Sequence, residues 1–166
     1  MPGQDGISIN GWTLFCHPLF LDQIKSLIDQ VEKLKRKDPE HYRNKNASKR
    51  LAAIAKLAFD IIPQDPTSPE FRQGSTLGKG YKHWFRAKFF QQYRLFFRFD
   101  SAAKIIVYVW VNDEKHKRAY GSKTDAYRVF EKMLHSGNPP DGWEQLQAEA
   151  KGEAARLKQL SKQLVD

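Results

Sequence analysis

Aromatic and β-branched residues dominate the stretch from Trp84 to Asn112, which reads WFRAKFFQQYRLFFRFDSAAKIIVYVWVN. These residue types favour extended structure, and breaks near Gln91–Gln92 and Ser101–Lys104 divide the stretch into three strands. Connections this short cannot accommodate the crossover that parallel neighbours require. The sequence therefore predicts three consecutive antiparallel strands at the centre of the fold.

Four basic residues interrupt the apolar pattern of the first two strands: Arg86, Lys88, Arg94 and Arg98. Successive side chains of a strand point to opposite faces, so the pattern predicts an apolar core face and an open cationic face. A face with fixed positive charge beside aromatic rings suits a polyanion, with nucleic acid as the first candidate. Each basic residue taken singly also fits an ordinary solvated position.

The composition agrees with a nucleic-acid partner. A chain of 166 residues fits one domain with its own hydrophobic core. Lysine and arginine outnumber aspartate and glutamate by 28 to 19, which favours nucleic acid or an acidic protein as partner. Cys16 is the only cysteine, so the chain has no internal disulfide. The sequence shows neither a signal peptide nor a long apolar span, and we expect a cytoplasmic protein without membrane contact.

The first part of the chain predicts a tail, a strand and two helices. Residues 1–10 are small and polar, which is typical of a flexible tail. The alternation over Trp12–Cys16 predicts a strand, and apolar residues at helical spacing from Phe20 to Leu34 predict a helix. An Asp38-Pro39-Glu40 cap then predicts the start of a second helix, which ends at Pro63.

The C-terminal part predicts two further helices. Thr124 is the expected N-cap of a short helix that buries Tyr127 and ends at Gly137. Asp141 and Glu144 resemble a capping box at the start of a last helix. Together the segments predict an α+β fold in which helices cover one face of the sheet. We expect a tail over 1–10, a catalytic or binding domain over 11–140 and a helical extension over 141–166.

Other chemical motifs find little support. The GSTLGKG segment, Gly74–Gly80, has the wrong spacing for a phosphate loop and leads into a strand rather than a helix. Its lysine can still contact an RNA backbone. The five histidines are scattered, with no paired cysteines beside them, so we expect neither a metal nor another cofactor. No GxSxG elbow is present.

A polar segment follows the last strand and leads to Tyr127, which invites two interpretations. Residues in such a turn can fold back over the ends of the strands. A tyrosine in the first turn of the next helix can then donate a proton or stack on a base. The spacing of Tyr127 with Phe130 and Leu134 fits an ordinary core position equally well.

Three strings carry a resemblance to a known family: NGWTLFCHP, GKGYKHWFRAKFFQQYRLFFRF and NDEKHKRAYGSKTDAYRVFEKML. They closely resemble YhaV-type toxins of bacterial toxin–antitoxin systems, in the RelE superfamily of mRNA endoribonucleases. The similarity spans about Asn10 to Trp143. It implies a RelE-like α+β fold: an antiparallel sheet, a two-helix layer on one face and C-terminal helices.

The resemblance also implies a reaction and the residues that carry it. RelE-like enzymes cleave RNA without a metal, by attack of a 2′-hydroxyl on the adjacent phosphate. On this chain Arg86 and Lys88 match the paired basic positions, Arg94 matches the arginine that stabilises the phosphate, and Tyr127 matches the tyrosine of the C-terminal helix. Arg118 or Lys123 would supply the remaining cation. The interval before Arg94 is one residue shorter than in RelE, so the identity of the general base stays open.

The expected RNA contacts extend beyond these catalytic candidates. We expect them from Trp84, Arg98, Lys79, Lys82, Lys123 and His116. The imidazoles of His83 and His116 are alternatives for the acid or base role, as in some relatives.

Three partners are implied by the resemblance. The substrate is mRNA, on the ribosome or free of it. An AbrB-like antitoxin would neutralise the toxin, and the complex would bind operator DNA. The alternative from another functional class is a non-catalytic RNA- or DNA-binding module that uses the same basic residues.

Overall fold

A five-stranded sheet forms the centre of the computed structural model, which describes residues 5–113 and 125–165. The three predicted strands between Trp84 and Asn112 are confirmed. The strand order is β1-β2-β5-β4-β3. The strands are β1 (Ile7–Ile9), β2 (Trp12–Cys16), β3 (Phe85–Phe89), β4 (Tyr93–Asp100) and β5 (Ile105–Val111).

The sheet is mixed, so the prediction of a wholly antiparallel sheet is wrong. β3, β4 and β5 pair antiparallel as their short loops require. β2 pairs parallel to β5, with Thr13 opposite Ile105. Most of the domain separates these two strands along the chain, so loop length places no limit on their relative direction.

A β-hairpin occupies part of the predicted tail. β1 pairs antiparallel with β2, and Ile9 lies opposite Trp12. The connecting Asn10 and Gly11 have φ of 52° and 83°, the left-handed conformation that two-residue hairpin turns require and that Asn-Gly favours. The expectation of a flexible tail over residues 1–10 is therefore wrong for Ile7–Ile9.

Helices from both ends of the chain cover one face of the sheet. They are α1 (Pro18–Lys37), α2 (Asn46–Lys56), a π-helical turn (Leu57–Ile61), α3 (Ile62–Gln64) and α6 (Ala154–Val165). Their apolar side chains form the first core with residues such as Leu95, Phe97 and Tyr108.

The predicted start of the second helix at Asp38-Pro39-Glu40 is wrong. The Asp38 carboxylate instead accepts hydrogen bonds from the backbone and ring of His41, which closes a local turn. A 3₁₀ turn over Tyr42–Asn44 follows before α2 begins.

The opposite face of the sheet is also covered, by α4 (Ala126–Ser136) and α5 (Trp143–Lys151). The prediction of an open face is therefore wrong. A bulge at Val109 on β5 contributes to this cover. The β4–β5 register shifts there, because Phe97 lies opposite Tyr108 whereas Phe96 lies opposite Trp110. The bulge turns Trp110 toward Phe96 and Phe130, and the three rings build a second core.

Helix ends differ in detail from the sequence prediction. Thr124 lies outside the described residues, and the side chain of Asp125 caps α4 by accepting from the backbone N–H of Tyr127. Gly137 ends α4 with φ of 90°, as predicted. The predicted last helix is two helices, α5 and α6. The N-cap residue of α5 is Gly142, which has no side chain to cap the helix, and Asp141 bonds instead to His83 and Trp84.

The connection from α3 to β3 contains two 3₁₀ turns, Pro69–Phe71 and Lys79–Tyr81. The GSTLGKG segment leads through the second turn into β3, and no helix opens there. Within 5–113 and 125–165, the helices are all too short or too polar to cross a membrane.

Candidate active site

Two arginines from neighbouring strands converge on one tyrosine hydroxyl. Arg86 on β3 donates from Nε to the hydroxyl oxygen of Tyr127 at 2.9 Å, and Arg94 on β4 donates from Nε to the same oxygen at 3.1 Å. Tyr127 lies in the first turn of α4, which packs on the second face of the sheet. The structure thus brings Tyr127 into contact with Arg86, 41 positions earlier in the chain, and with Arg94, 33 positions earlier.

Backbone carbonyls fix the orientation of both guanidinium groups. Arg86 donates from Nη1 to the carbonyl of Glu70 at 2.8 Å, and Arg94 donates from Nη1 to the carbonyls of Gln91 and Tyr93. Neither Nη2 group donates to a residue in the described part of the chain. The two residues are 9% and 7% exposed, so each guanidinium group is largely buried and its orientation is fixed by these bonds.

Lys88 supplies a third cation beside this pair. It lies directly opposite Arg94 in the β3–β4 register, so both side chains leave the same face of the sheet. Lys88 is exposed, in contrast to the buried arginines. The predicted shared face for Arg86, Lys88, Arg94 and Arg98 is therefore present, although helices cover part of it.

Asn112 positions the site and was not singled out from the sequence. It is buried, its side-chain oxygen accepts from the backbone N–H of Arg94 at 2.7 Å, and its amide donates to the carbonyl of Gln92. These bonds fix the β3–β4 turn relative to the end of β5. The only signal in the sequence is a polar residue directly after a long apolar strand, which is common at strand ends.

Arg98 and Trp84, which we expected to contact RNA, contact each other inside the fold. Trp84 is fully buried, so its ring is not available for stacking on RNA. The Arg98 guanidinium lies 5.3 Å from the ring centres of both Trp84 and Trp143, and it donates to the carbonyl of Asp141. Burial lowers the pKa of Arg98, while the Asp141 carboxylate opposes that shift. These cation–π contacts stabilise the fold, and contact of Arg98 with RNA stays a prediction.

The remaining predicted residues divide into two groups. Lys79 and Lys82 are exposed in the segment before β3, where contact with RNA stays a prediction. His83 is partly exposed, and its Nε2 lies 2.6 Å from the Asp141 carboxylate, so this imidazole is already engaged. His116, Arg118 and Lys123 lie outside the described residues.

The chemistry of the cluster is that of an anion site with a phenol at its centre. Two guanidinium groups and an ammonium stabilise negative charge, and a tyrosine hydroxyl can donate a proton. Over residues 5–113 and 125–165, no group of three or more histidine, cysteine, aspartate or glutamate side chains is arranged to hold a metal ion. The described residues of this cluster are basic or phenolic.

Comparisons with known proteins agree with this chemistry. Residues 14–151 match the sequence model of a family, Toxin_YhaV, described as a toxin with endonuclease activity, of toxin–antitoxin systems. The ribonuclease toxin YhaV of Escherichia coli K12 is 49% identical over 143 residues, which is 85% of this chain and 93% of that protein. The toxins YhaV of the O6:H1 and O157:H7 strains show the same identity and coverage. No solved structure matches the chain.

Proposed function

The chain belongs to the YhaV family of toxins with endonuclease activity, and we propose that it cleaves mRNA by attack of a ribose 2′-hydroxyl on the adjacent phosphate. The observation that carries this proposal is the pair of guanidinium groups bound to one phenol, with Lys88 beside them. A relative at 49% identity is named a ribonuclease toxin, which supports RNA as the substrate.

Charge stabilisation is the first task of such a site. Attack by the 2′-oxygen adds negative charge to the non-bridging oxygens of a five-coordinate phosphorane. Arg86 and Arg94 retain Nη2 donors that no described residue accepts, and their other N–H groups are fixed by carbonyls and Tyr127. Donors that need no reorganisation stabilise a transition state better than solvated ones. We assign phosphate binding to this pair.

Proton transfer is the second task. The Tyr127 oxygen accepts from two guanidinium groups, and a phenol hydroxyl can also donate its proton. This arrangement supports Tyr127 as the acid that protonates the departing 5′-oxygen. In its neutral amine form, rather than as the ammonium that binds phosphate, Lys88 is also the described candidate for the base that removes the 2′-hydroxyl proton, since His83 is engaged with Asp141. Arg118, Lys123 and His116 stay candidates for auxiliary roles.

The biological setting proposed here follows from the resemblance to YhaV-type toxins. Cleavage of mRNA, on the ribosome or free of it, would inhibit translation and growth. An AbrB-like antitoxin would neutralise the toxin and place the complex on operator DNA. A formal net charge of +9 supports an acidic or nucleic-acid partner.

The experiment that tests the proposal is product analysis with the purified full chain. The protein is incubated with an mRNA transcript in EDTA, with and without ribosomes, and the fragments are mapped by primer extension. We expect cleavage that persists in the chelator and falls by about 100-fold or more in Arg94→Ala, the scale of removing one transition-state donor.

Arg36→Ala is the matched control. It removes the same charge from an exposed position on α1, which covers the opposite face of the sheet, and cleavage should be retained. Tight RNA binding with intact RNA in every condition would favour the non-catalytic binding module. Cleavage that requires added metal ions would contradict the proposed mechanism.

A further inference from the structure

The β3–β4 turn adjoins the candidate site and carries an exposed aromatic ring. Phe90 is 53% exposed, and among residues 5–113 and 125–164 no other large hydrophobic side chain is as exposed. The next residue in the turn, Gln91, accepts a hydrogen bond from Nη1 of Arg94 at 2.7 Å. Lys88 lies two positions before Phe90. The turn that carries this exposed ring therefore adjoins the cationic site.

The backbone of this turn is unusual for its residues. Phe90 and Gln91 have φ of 46° and 63°, in the left-handed region that glycine and asparagine adopt readily and bulky residues avoid. Hydrogen bonds from Asn112 to Gln92 and from Arg94 to Gln91 hold the turn in place. Strain that surrounding contacts maintain is characteristic of functional segments. The conformation itself thus gives no reason for phenylalanine at position 90.

Packing does not account for this phenylalanine either. Its ring meets Phe89 at 5.5 Å between centroids, edge to face, and Phe89 in turn stacks on Tyr93 at 5.2 Å. Half of the Phe90 side chain nevertheless remains in solvent, so the ring adds little to the core. Protein interfaces use extended apolar patches, whereas Phe90 is a single exposed ring in a turn that Lys88 precedes and Arg94 follows along the chain. A flat ring beside fixed cations matches a nucleotide, which offers a base and a phosphate together.

We propose that Phe90 stacks on one nucleobase of the RNA, next to the phosphate that Arg94 and Lys88 bind. This inference rests on the proposed function, because it assigns a base contact to the same site. Stacking accepts every base, so the contact positions the strand without strict sequence selection. Purines offer the larger ring surface and are therefore favoured at the stacked position.

The test is a binding measurement with a non-cleavable substrate. A short fluorescein-labelled 2′-O-methyl RNA, which lacks the attacking hydroxyl, is titrated with the full chain and followed by fluorescence anisotropy. Phe90→Leu removes the aromatic face at similar volume and should weaken binding by about fivefold or more, the scale of one base–aromatic stack. Phe90→Trp should bind at least as tightly as the wild type.

A set of abasic oligonucleotides locates the contact. One nucleotide at a time is replaced by an abasic residue, and each substrate is titrated with wild type and Phe90→Leu. At a single position the effect of Phe90→Leu should disappear, since the base that stacks is already missing. An equal effect of Phe90→Leu on every substrate would overturn the inference.

Phe90→Asn separates a binding role from a structural one. Asparagine tolerates the left-handed conformation, so the variant should unfold at the same or a higher temperature while its RNA affinity falls. A lower unfolding temperature with unchanged RNA affinity would overturn the inference. So would unchanged RNA affinity in Phe90→Leu, with or without weaker antitoxin binding. Failure of the wild type to bind or cleave RNA would instead refute the proposed function, and the inference with it.

Discussion

Tyr127→Phe removes one oxygen atom and with it the two buried hydrogen bonds that Arg86 and Arg94 donate to it. The substitution keeps the ring, which packs edge to face against Phe96 in the second core. The lost hydroxyl accepts from Nε of both Arg86 and Arg94, and these side chains are 9% and 7% exposed. The variant therefore leaves two charged donors without their acceptor in a largely buried place.

The expected cost follows from these two bonds. A hydrogen bond to a charged group contributes about 1.5–3 kcal/mol to stability, and loss of a buried partner adds a desolvation penalty. Both guanidinium groups keep some exposure, so water can replace part of the loss. We expect the free energy of unfolding to fall by about 2–4 kcal/mol, which a domain of ordinary stability survives. Cleavage should fall by about 100-fold or more, because the proposed acid is lost.

Urea unfolding followed by circular dichroism measures the free energy of unfolding. The cleavage rate is measured with mRNA in the absence of urea, at a temperature well below the unfolding transition. Tyr81→Phe is the matched control, because its hydroxyl makes no hydrogen bond to a described residue, and it should change stability by less than about 0.5 kcal/mol. A Tyr127→Phe variant as stable as the control would refute the buried hydrogen-bond pair. Full cleavage activity in that variant would refute the acid assignment.

Three further predictions address the surroundings of the site. Lys88→Ala should weaken RNA binding, reduce the slope of log affinity against log salt by about 1 and leave stability within about 0.5 kcal/mol, as titrations in increasing KCl would show. Arg98→Ala should lower the free energy of unfolding by about 1–3 kcal/mol, because two cation–π contacts and a hydrogen bond are lost; an unchanged urea midpoint would contradict this. Burial raises the pKa of Cys16 and of Tyr108 above their ordinary values of 9.0 and 10.0, so both groups ionise more readily in the unfolded chain. Stability should therefore decline as pH rises above about 9, whereas a flat pH profile up to about 10.5 would contradict the shifts.

The strands and one face of the site could be predicted because both depend on local pattern. Aromatic and β-branched residues mark β3, β4 and β5, and short loops make them antiparallel. The even numbering of Arg86, Lys88 and Arg94 then places them on one face once β3 and β4 pair. The Asn10-Gly11 turn is also a local signal. Asn-Gly favours the left-handed φ values that this turn adopts, so the hairpin of β1 and β2 could have been predicted from the sequence.

The periodicity of Tyr127, Phe130 and Leu134 predicts a buried helix face, but which face of the sheet that helix covers depends on tertiary packing. The Val109 bulge turns Trp110 onto the face of Phe96, and α4 packs there through Phe130. Nothing in the spacing of Arg98 distinguishes a solvated arginine from one held between two tryptophans. The parallel pairing of β2 with β5 likewise joins segments that are distant in sequence, where loop length gives no constraint.

The most direct test of the proposed mechanism is the chemistry of the cut RNA ends. An RNA oligonucleotide that the protein cleaves at one site is compared with the same oligonucleotide carrying a single 2′-deoxyribose on the 5′ side of that site. Attack by the 2′-hydroxyl predicts fragments with 2′,3′-cyclic phosphate and 5′-hydroxyl ends by mass spectrometry, and no cleavage of the 2′-deoxy substrate. Fragments with 3′-hydroxyl and 5′-phosphate ends, or cleavage at the 2′-deoxy position, would contradict the account.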